Sequence, residues 1–217
     1  MIDSCYLPGM DFIRPVQAVI PGVRGRVLAV LVETTAELSL AAIARIARVS
    51  LAQASRVLPG LVEMGLVERR EVPPSSLFRL VREHLAAGPL VDLARARDRM
   101  LEQMGRAAVA LAVVPVSVIV FGSFARGEAG GESDIDAVLV RPAGIAEEDP
   151  AWSSSVQQWR DAVRGASGNS VEVLEVGAEG VAARLGSRRQ VWRDIRASGL
   201  AVYGLSLEEL ASSGADA

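Results

Sequence analysis

The stretch that decides the fold of the C-terminal half reads VFGSFARGE at 120–128 and SDID at 133–136. The apolar runs 116–121 and 135–140 predict two buried strands, because β-branched residues in short runs favour sheet interiors. Asp134 and Asp136 stand two residues apart, so a strand projects them from the same face, while Ile135 points into the core. The sequence therefore predicts paired carboxylates beside a glycine-serine turn.

This pattern favours binding of a metal ion and a phosphate. Two adjacent carboxylates repel each other unless a cation lies between them, and Mg²⁺ prefers such hard oxygen ligands. A strand that ends in Gly122-Ser123 before a helical turn leaves backbone amides free for an anionic phosphate. Arg126 either reaches a phosphate or is a solvated loop residue.

A third carboxylate is expected on the run VEVLEV at 171–176, which predicts another strand. Glu172 and Glu175 are both candidates, and they point to opposite faces of that strand. We favour Glu172, because β-branched neighbours would anchor it if this strand lies beside the strand of Asp136.

Composition limits the chemistry further. The 217 residues contain no lysine, which excludes a phosphate-loop lysine and Schiff-base chemistry. The single cysteine, Cys5, excludes an internal disulfide and a cysteine-clustered zinc site. Residues 14–84 carry ten arginines and six acids, whereas residues 113–217 carry nine arginines and fifteen acids. This asymmetry predicts two domains with different partners.

The motif resembles the minimal members of the DNA polymerase β-like nucleotidyltransferase superfamily, over roughly residues 113–205. The shared pattern is Gly-Ser, ten residues, then Asp-x-Asp, here with 124–133 as the intervening ten. The resemblance implies nucleotide-binding residues Gly122, Ser123 and Arg126, two Mg²⁺ ions on Asp134 and Asp136, and an NTP substrate, with ATP favoured. It also implies that the third acid is Glu172, where the family more usually has aspartate.

The N-terminal half shows three predicted helices and a hairpin. Helices are expected over 22–34, from Leu38 onward, and from an N-cap at Ser50 to near Gly65. Two apolar-rich runs around Pro73-Pro74 then predict a β-hairpin. These are the parts of a winged helix-turn-helix.

This half resembles winged-helix regulators of the MarR or ArsR kind over about residues 22–82. The resemblance implies that the third helix enters the major groove and that the wing contacts phosphates. The implied DNA-binding residues are Ser50, Gln53, Ser55 and Arg56 on the helix and Arg69, Arg70 and Arg79 on the wing. Exposed Leu51 and Ala52, and Pro59 inside the helix, leave a second reading open, in which the winged helix mediates dimerisation or protein contact.

The expected fold class is a two-domain α/β protein, with an N-terminal winged helix and a C-terminal α+β nucleotidyltransferase built on a small mixed sheet. The remaining apolar periods predict helices over about 90–112, 149–164 and 184–197, a short strand at 200–203, and a short strand near Pro15–Ile20. The last ten residues are expected to be frayed. The expected domain limits are an arm (1–21), the winged helix (22–84), a connecting helix (85–112), the transferase (113–205) and a tail (206–217).

Three functional hypotheses follow. The first is Mg²⁺-dependent transfer of a nucleotidyl group, with ATP favoured as donor, to a hydroxyl on protein or nucleic acid. The second is a transcription regulator whose transferase domain senses nucleotide with little or no turnover. The third keeps both, as an autoregulating modifier that binds its own operator. For the first hypothesis, the resemblance also implies a place in toxin–antitoxin modules, where minimal members of the family often act.

The partners that these hypotheses imply are nucleotide, double-stranded DNA, a second copy of the chain in a homodimer, and a toxin protein. No apolar run is long enough to cross a bilayer, and the N-terminus lacks a secretory signal. We therefore expect a cytoplasmic protein with no membrane partner.

Overall fold

The computed structural model describes residues 9–212, so Cys5 lies outside the described residues. The helices are α1 Pro15–Val19, α2 Gly22–Glu33, α3 Leu40–Ile46, α4 Leu51–Glu63, α5 Ala87–Ala94, α6 Ala96–Val109, α7 Gly122–Ala125, α8 Pro150–Ser167, α9 Ala178–Leu185, α10 Gln190–Ser198 and α11 Leu207–Ser212. The strands are β1 Leu38–Ser39, β2 Val67–Val72, β3 Ser75–Leu80, β4 Ser117–Phe121, β5 Ile135–Arg141, β6 Val171–Gly177 and β7 Leu200–Gly204.

These elements form two compact units. One unit comprises Arg14–Ala96. The other combines residues 9–13 with residues 97–212, so it is not continuous in sequence. None of the helices formed by residues 9–212 is both long enough and apolar enough to span a membrane.

The first unit packs three helices against a small antiparallel sheet of order β1-β3-β2. The inward-facing residues of α2, α3 and α4 form its core, which includes Leu31, Ile43, Leu58 and Leu61. The helices α3 and α4 begin where the sequence predicts, because serines cap them. The Ser39 hydroxyl accepts the amide of Ala42, and Ser50 and Gln53 form a reciprocal capping box at the start of α4.

The structure confirms the three helices and the hairpin of this unit, and it corrects two details. Pro15–Ile20, expected as a strand, contains the helix α1, in which Pro15 occupies the first turn, where it needs no amide partner. The connecting helix expected to run on to residue 112 is divided at Arg95 into α5 and α6. The apolar period continues across this break, so periodicity alone does not reveal it.

The second unit is built on a mixed four-stranded sheet of order β6-β5-β4-β7. β4 pairs antiparallel with β5 and β7, while β5 and β6 are parallel. One face packs against α9, α10 and α11 through Val181, Ile195 and Leu210. Elsewhere in the unit, Trp159 of α8 donates its indole N–H to the carbonyl of Met104 on α6 at 3.1 Å.

All four strands of this sheet lie close to their expected positions. One helix prediction and the prediction of a frayed end were wrong in extent. The helix expected over 184–197 is interrupted between Leu185, where α9 ends, and Gln190, where α10 begins, and the last ten residues, expected to be frayed, include most of α11. Ser206 caps α11 by accepting the amide of Glu209, whose carboxylate accepts the amide of Ser206 in return.

Candidate functional site

The predicted third acid lies beside the Asp-x-Asp strand. In the parallel pairing of β5 with β6, Asp136 is directly opposite Glu172. Paired residues on neighbouring strands project from the same face, so Glu172 shares the face of Asp136, and Asp134 directly precedes this strand. Glu175, the alternative candidate, points to the other face, where its carboxylate accepts the indole N–H of Trp152 at 2.5 Å.

Gly122 lies against Asp136. The end of β4 is in register with the start of β5, where Phe121 pairs with Asp136, so the next residue begins α7 beside the carboxylate. Gly122 has φ +70°, and a Cβ built there would lie 2.5 Å from Asp136 Oδ2. Any larger residue would therefore meet both backbone strain and a collision with the carboxylate.

The acids influence one another electrostatically. Partial burial raises the pKa of Asp136 above its ordinary value, and the negative charges of Asp134 and Glu172 raise this pKa further. Arg126 has the opposite, smaller effect on the pKa of Asp136. Asp136 therefore experiences the charges of all three neighbours, and a cation bound beside it would relieve the repulsion among the acids.

The carbonyl groups of α7 are engaged in local hydrogen bonds. The carbonyl of Gly122 accepts the amide of Arg126 at 3.2 Å, and that of Ser123 accepts the amide of Glu128 at 2.8 Å. The first amides of a helix have no acceptor within the helix, so those of Gly122 and Ser123 are suited to an external anion. The exposed guanidinium of Arg126 is paired with Glu128 at 2.8 Å, so it would exchange this partner to reach a phosphate.

The side chains at this site supply the oxygen donors that a hard divalent cation prefers. Carboxylate oxygens are the ligands that Mg²⁺ prefers, and the space that a Cβ of Gly122 would fill holds Asp136 Oδ2. Among residues 9–212, no three Asp, Glu, His or Cys side chains are grouped closely enough to hold a metal ion. A three-acid cage would therefore require side-chain rotation at the exposed Asp134 and Glu172.

Three residues that the sequence did not single out contact this region. Arg97 of α6 donates from Nε to the carbonyl of Phe124 at 2.9 Å and from a terminal nitrogen to that of Ala125. Phe12 packs edge-on against Phe124, and buried Asn169 donates to the carbonyl of Ser133 at 3.0 Å. Arg97 could have been noticed from the sequence, because it is an arginine on the face of α6 that the apolar period predicts to be buried. No local sequence pattern indicates Phe12 or Asn169.

In the first unit, the residues predicted to enter a DNA groove are exposed at the N-terminal half of α4. The amide of Ser50 donates to the Gln53 side chain at 2.9 Å, and the amide of Gln53 donates to the Ser50 hydroxyl at 3.1 Å. The Ser55 hydroxyl donates to the carbonyl of Ala52 at 3.1 Å. Arg56 is exposed on the same helix.

The three predicted wing arginines each have an acidic partner. Arg69 lies 3.0 Å from Glu71, Arg79 lies 2.6 Å from Glu68, and Arg70 pairs with Glu37. All these side chains are at least partly exposed, so the pairs are weak and exchangeable. A DNA phosphate would have to compete with these acids.

A cleft of about 750 Å³ separates α4 from the hairpin β2–β3. Its lining includes Leu58, Val62 and Phe78, with Ser55 and Arg69 among its polar residues. Leu51, which also lines it, is exposed. The surface between helix and wing is therefore more apolar than a purely phosphate-binding surface.

Two family models match the chain. The model described as the nucleotidyltransferase domain matches residues 102–166, and the IclR helix-turn-helix domain matches residues 25–71. The first range includes Gly122, Ser123, Asp134 and Asp136 but ends before Glu172. The chain therefore combines a nucleotidyltransferase domain with a helix-turn-helix domain of the DNA-binding kind, and the matched helix-turn-helix type is IclR; the MarR or ArsR type is not shown.

Comparison with curated proteins gave no match. Two solved structures are similar to parts of the chain. One is a toxin–antitoxin with AMP-PNP, at 15% identity and a TM-score of 0.35, covering 55% of this chain and 84% of that one. The other is TrmBL2, an archaeal chromatin protein with a novel mode of DNA binding, at 16% identity and a TM-score of 0.30, covering 83% and 76%.

Proposed function

We propose that the protein transfers a nucleotidyl group from an NTP, with ATP the favoured donor, to a hydroxyl acceptor on protein or nucleic acid. The observation that carries this proposal is the register of β5 and β6, which sets Glu172 opposite Asp136 while Gly122 lies against the same carboxylate. The match of residues 102–166 to the nucleotidyltransferase domain supports the same reaction class.

In this proposal each residue has a defined role. Asp134, Asp136 and Glu172 would hold Mg²⁺, which when bound neutralises negative charge on the phosphates and at the reacting α-phosphorus. The amides of Gly122 and Ser123 bind the triphosphate oxygens, and the Ser123 hydroxyl adds a donor. The acceptor oxygen bonds to the α-phosphorus, the bond from the α-phosphorus to the bridging oxygen breaks, and pyrophosphate leaves.

Glu172 or Asp136 accepts the proton of the attacking hydroxyl. Arg126 contributes positive charge near the phosphates once it exchanges its partner Glu128. Because the chain has no lysine, the protein itself holds the triphosphate through this arginine, the turn amides and the Ser123 hydroxyl.

The decisive test uses α-³²P-labelled ATP with Mg²⁺ and measures label transfer to candidate protein and RNA acceptors. We expect Asp134→Asn with Asp136→Asn to abolish transfer and Glu172→Gln to lower it at least about 100-fold, because metal-bound carboxylates act together. The matched control is Glu175→Gln, on the same strand but the opposite face, which should retain most activity. Equal losses from Glu172→Gln and Glu175→Gln would refute the assignment of the third acid.

Wild-type protein that transfers no label to any acceptor, with the double variant indistinguishable from it, would refute the enzymatic reading. Retained nucleotide binding under those conditions would favour the regulator whose transferase domain only senses nucleotide. Titration calorimetry with ATP and Mg²⁺ distinguishes the two results.

We also propose that the first unit binds double-stranded DNA through α4 and the wing. The IclR helix-turn-helix match over 25–71 supports this, as does the exposure of Ser50, Gln53, Ser55 and Arg56 on one part of α4. Arg69, Arg70 and Arg79 would contact phosphates after releasing their acidic partners. A gel shift across a salt series tests this proposal, and Arg56→Ala should weaken binding. Binding that is unaffected both by Arg56→Ala and by the double variant Arg69→Ala with Arg70→Ala would contradict it.

A further inference from the structure

Two residues that flank the Arg14–Ala96 unit in sequence both contact the turn α7. Phe12 lies two residues before Arg14, and Arg97 directly follows Ala96. Both belong to the same compact unit as α7. The chain therefore leaves the second unit just after Phe12, which contacts the turn, and re-enters that unit at Arg97, which also contacts the turn.

Arg97 holds the C-terminal end of α7. Its guanidinium donates to the carbonyls of Phe124 and Ala125, the former at 2.9 Å, and its side chain is only 26% exposed. The Phe124 carbonyl also accepts the amide of Gly127 at 3.1 Å, so Arg97 adds a second donor at this end of the helix. A cation at this end also suits the negative pole of the aligned carbonyls.

Phe12 holds the same turn through its ring and backbone. Its ring centroid lies 4.8 Å from that of Phe124 with an interplanar angle of 85°, an edge-to-face contact between two buried rings. Its amide donates to the carbonyl of Ala129 at 3.0 Å, beyond the end of α7. Residue 12 therefore connects α7 to the loop that leads to Asp134.

Asn169 extends this arrangement to the Asp-x-Asp strand. The side chain is 2% exposed, its carbonyl oxygen accepts the amide of Met10 at 3.0 Å, and its amide group donates to the carbonyl of Ser133 at 3.0 Å. A Cβ at Gly9 would lie 2.5 Å from Asn169 Cγ, so the segment passes too closely for any other residue. Residues 9–12 thus contact the turn directly, and they are linked through Asn169 to Ser133, the residue that precedes Asp134.

We propose that Arg97 and Phe12 are positioning residues for nucleotidyl transfer, which set the place of the Gly122 and Ser123 amides; this inference rests on the proposed function. A single isolated helical turn is not stable by itself, so contacts from outside must fix α7. Neither residue needs to touch the nucleotide. Displacement of a binding group by about 1 Å lowers turnover by about 100-fold, so such contacts can decide the rate.

The test measures kcat and KM for labelled ATP, together with the affinities for α,β-methylene ATP and AMP by titration calorimetry with Mg²⁺. We expect Arg97→Ala to lower kcat/KM by about 100-fold and to reduce the preference for the triphosphate over AMP, because the turn amides face the phosphates. Arg97→Lys keeps the charge and one donor, so it should recover part of the loss.

The matched control is Arg106→Ala on the same helix, whose exposed side chain pairs with Glu102 at 3.7 Å. This variant should behave like wild type. Phe12→Leu keeps an apolar side chain but removes the ring contact, and we expect it to lower kcat/KM about threefold to tenfold.

The outcomes separate this inference from the function on which it rests. Wild-type protein that neither transfers label nor binds α,β-methylene ATP would overturn the proposed function and the positioning roles together. An active wild type with Arg97→Ala matching Arg106→Ala in kcat/KM and in triphosphate preference would overturn the positioning roles alone. A loss in Arg97→Ala that follows only its melting temperature, with the triphosphate preference unchanged, would also overturn them.

Discussion

Replacement of Gly122 by alanine tests the contact between the turn and the Asp136 carboxylate. Gly122 has φ +70°, and the added Cβ would lie 2.5 Å from Asp136 Oδ2, 3.4 Å from Cγ and 3.6 Å from Cβ. The carboxylate oxygen is the atom that must move, because the other two distances are ordinary contacts.

The size of the effect follows from these distances. An ordinary contact of about 3.4 Å requires the oxygen and the new methyl group to separate by about 0.9 Å, a displacement that lowers turnover by about 100-fold. The left-handed backbone costs an L-residue about 1–2 kcal/mol, so the melting temperature should fall by about 2–8 °C.

The assay measures label transfer from α-³²P-labelled ATP alongside thermal unfolding, with Gly144→Ala as the control. Gly144 has φ +79° with nothing within 4 Å of a built Cβ, so this variant has the same backbone cost without the collision. We expect similar melting temperatures for the two variants and a selective loss of transfer in Gly122→Ala. Equal transfer by both variants would show that the position of Asp136 does not depend on the absence of a side chain at residue 122.

Three further predictions concern charge and burial. The pKa of Asp136 is raised, so the folded protein binds its proton more tightly than the unfolded chain does, and the protein loses stability as pH rises from the ordinary pKa of this carboxyl through the raised one. Asp136→Asn should therefore raise the melting temperature at pH 7 without Mg²⁺. This gain should disappear under acid conditions. Asn169→Ala leaves buried amide and carbonyl groups without partners and should cost about 2–4 kcal/mol in chemical denaturation; a loss below about 0.5 kcal/mol would count against its connecting role. Glu37→Gln removes the acidic partner of Arg70 and should tighten DNA binding about twofold to fivefold in a low-salt gel shift. The control is Glu102→Gln, which makes the same charge change in the other unit and should have a smaller effect.

The geometry of the Asp-x-Asp pair could be predicted because it depends on local spacing. Residues two apart on a strand share a face wherever that strand lies in the sheet. Glu172 required one further assumption, that its strand lies beside β5, and the parallel register confirms this assumption. Its metal-binding role and the roles of the other predicted site residues stay predictions.

The helix-turn-helix could be predicted in part for a similar local reason. The cap at Ser50 and the hairpin around Pro73-Pro74 are encoded within a few residues of where they act. The ion pairs on the wing are not, since Arg70 meets Glu37 from 33 positions away. Counting arginines therefore gives the charge of this unit, but it does not show which arginines already have an acidic partner.

The contacts of residues 9–12 show why sequence patterns missed part of the site. The segment is short, irregular and rich in apolar residues, so it has no period that would indicate a buried face. Its partners, Phe124, Ala129 and Asn169, lie more than 110 positions away, and the whole Arg14–Ala96 unit intervenes. A pattern search that divides the chain into consecutive domains assigns such a segment to its neighbour in sequence. Burial assigns it to the second unit, because without Met10 the side-chain oxygen of Asn169, a residue that is 2% exposed, would lack its amide partner.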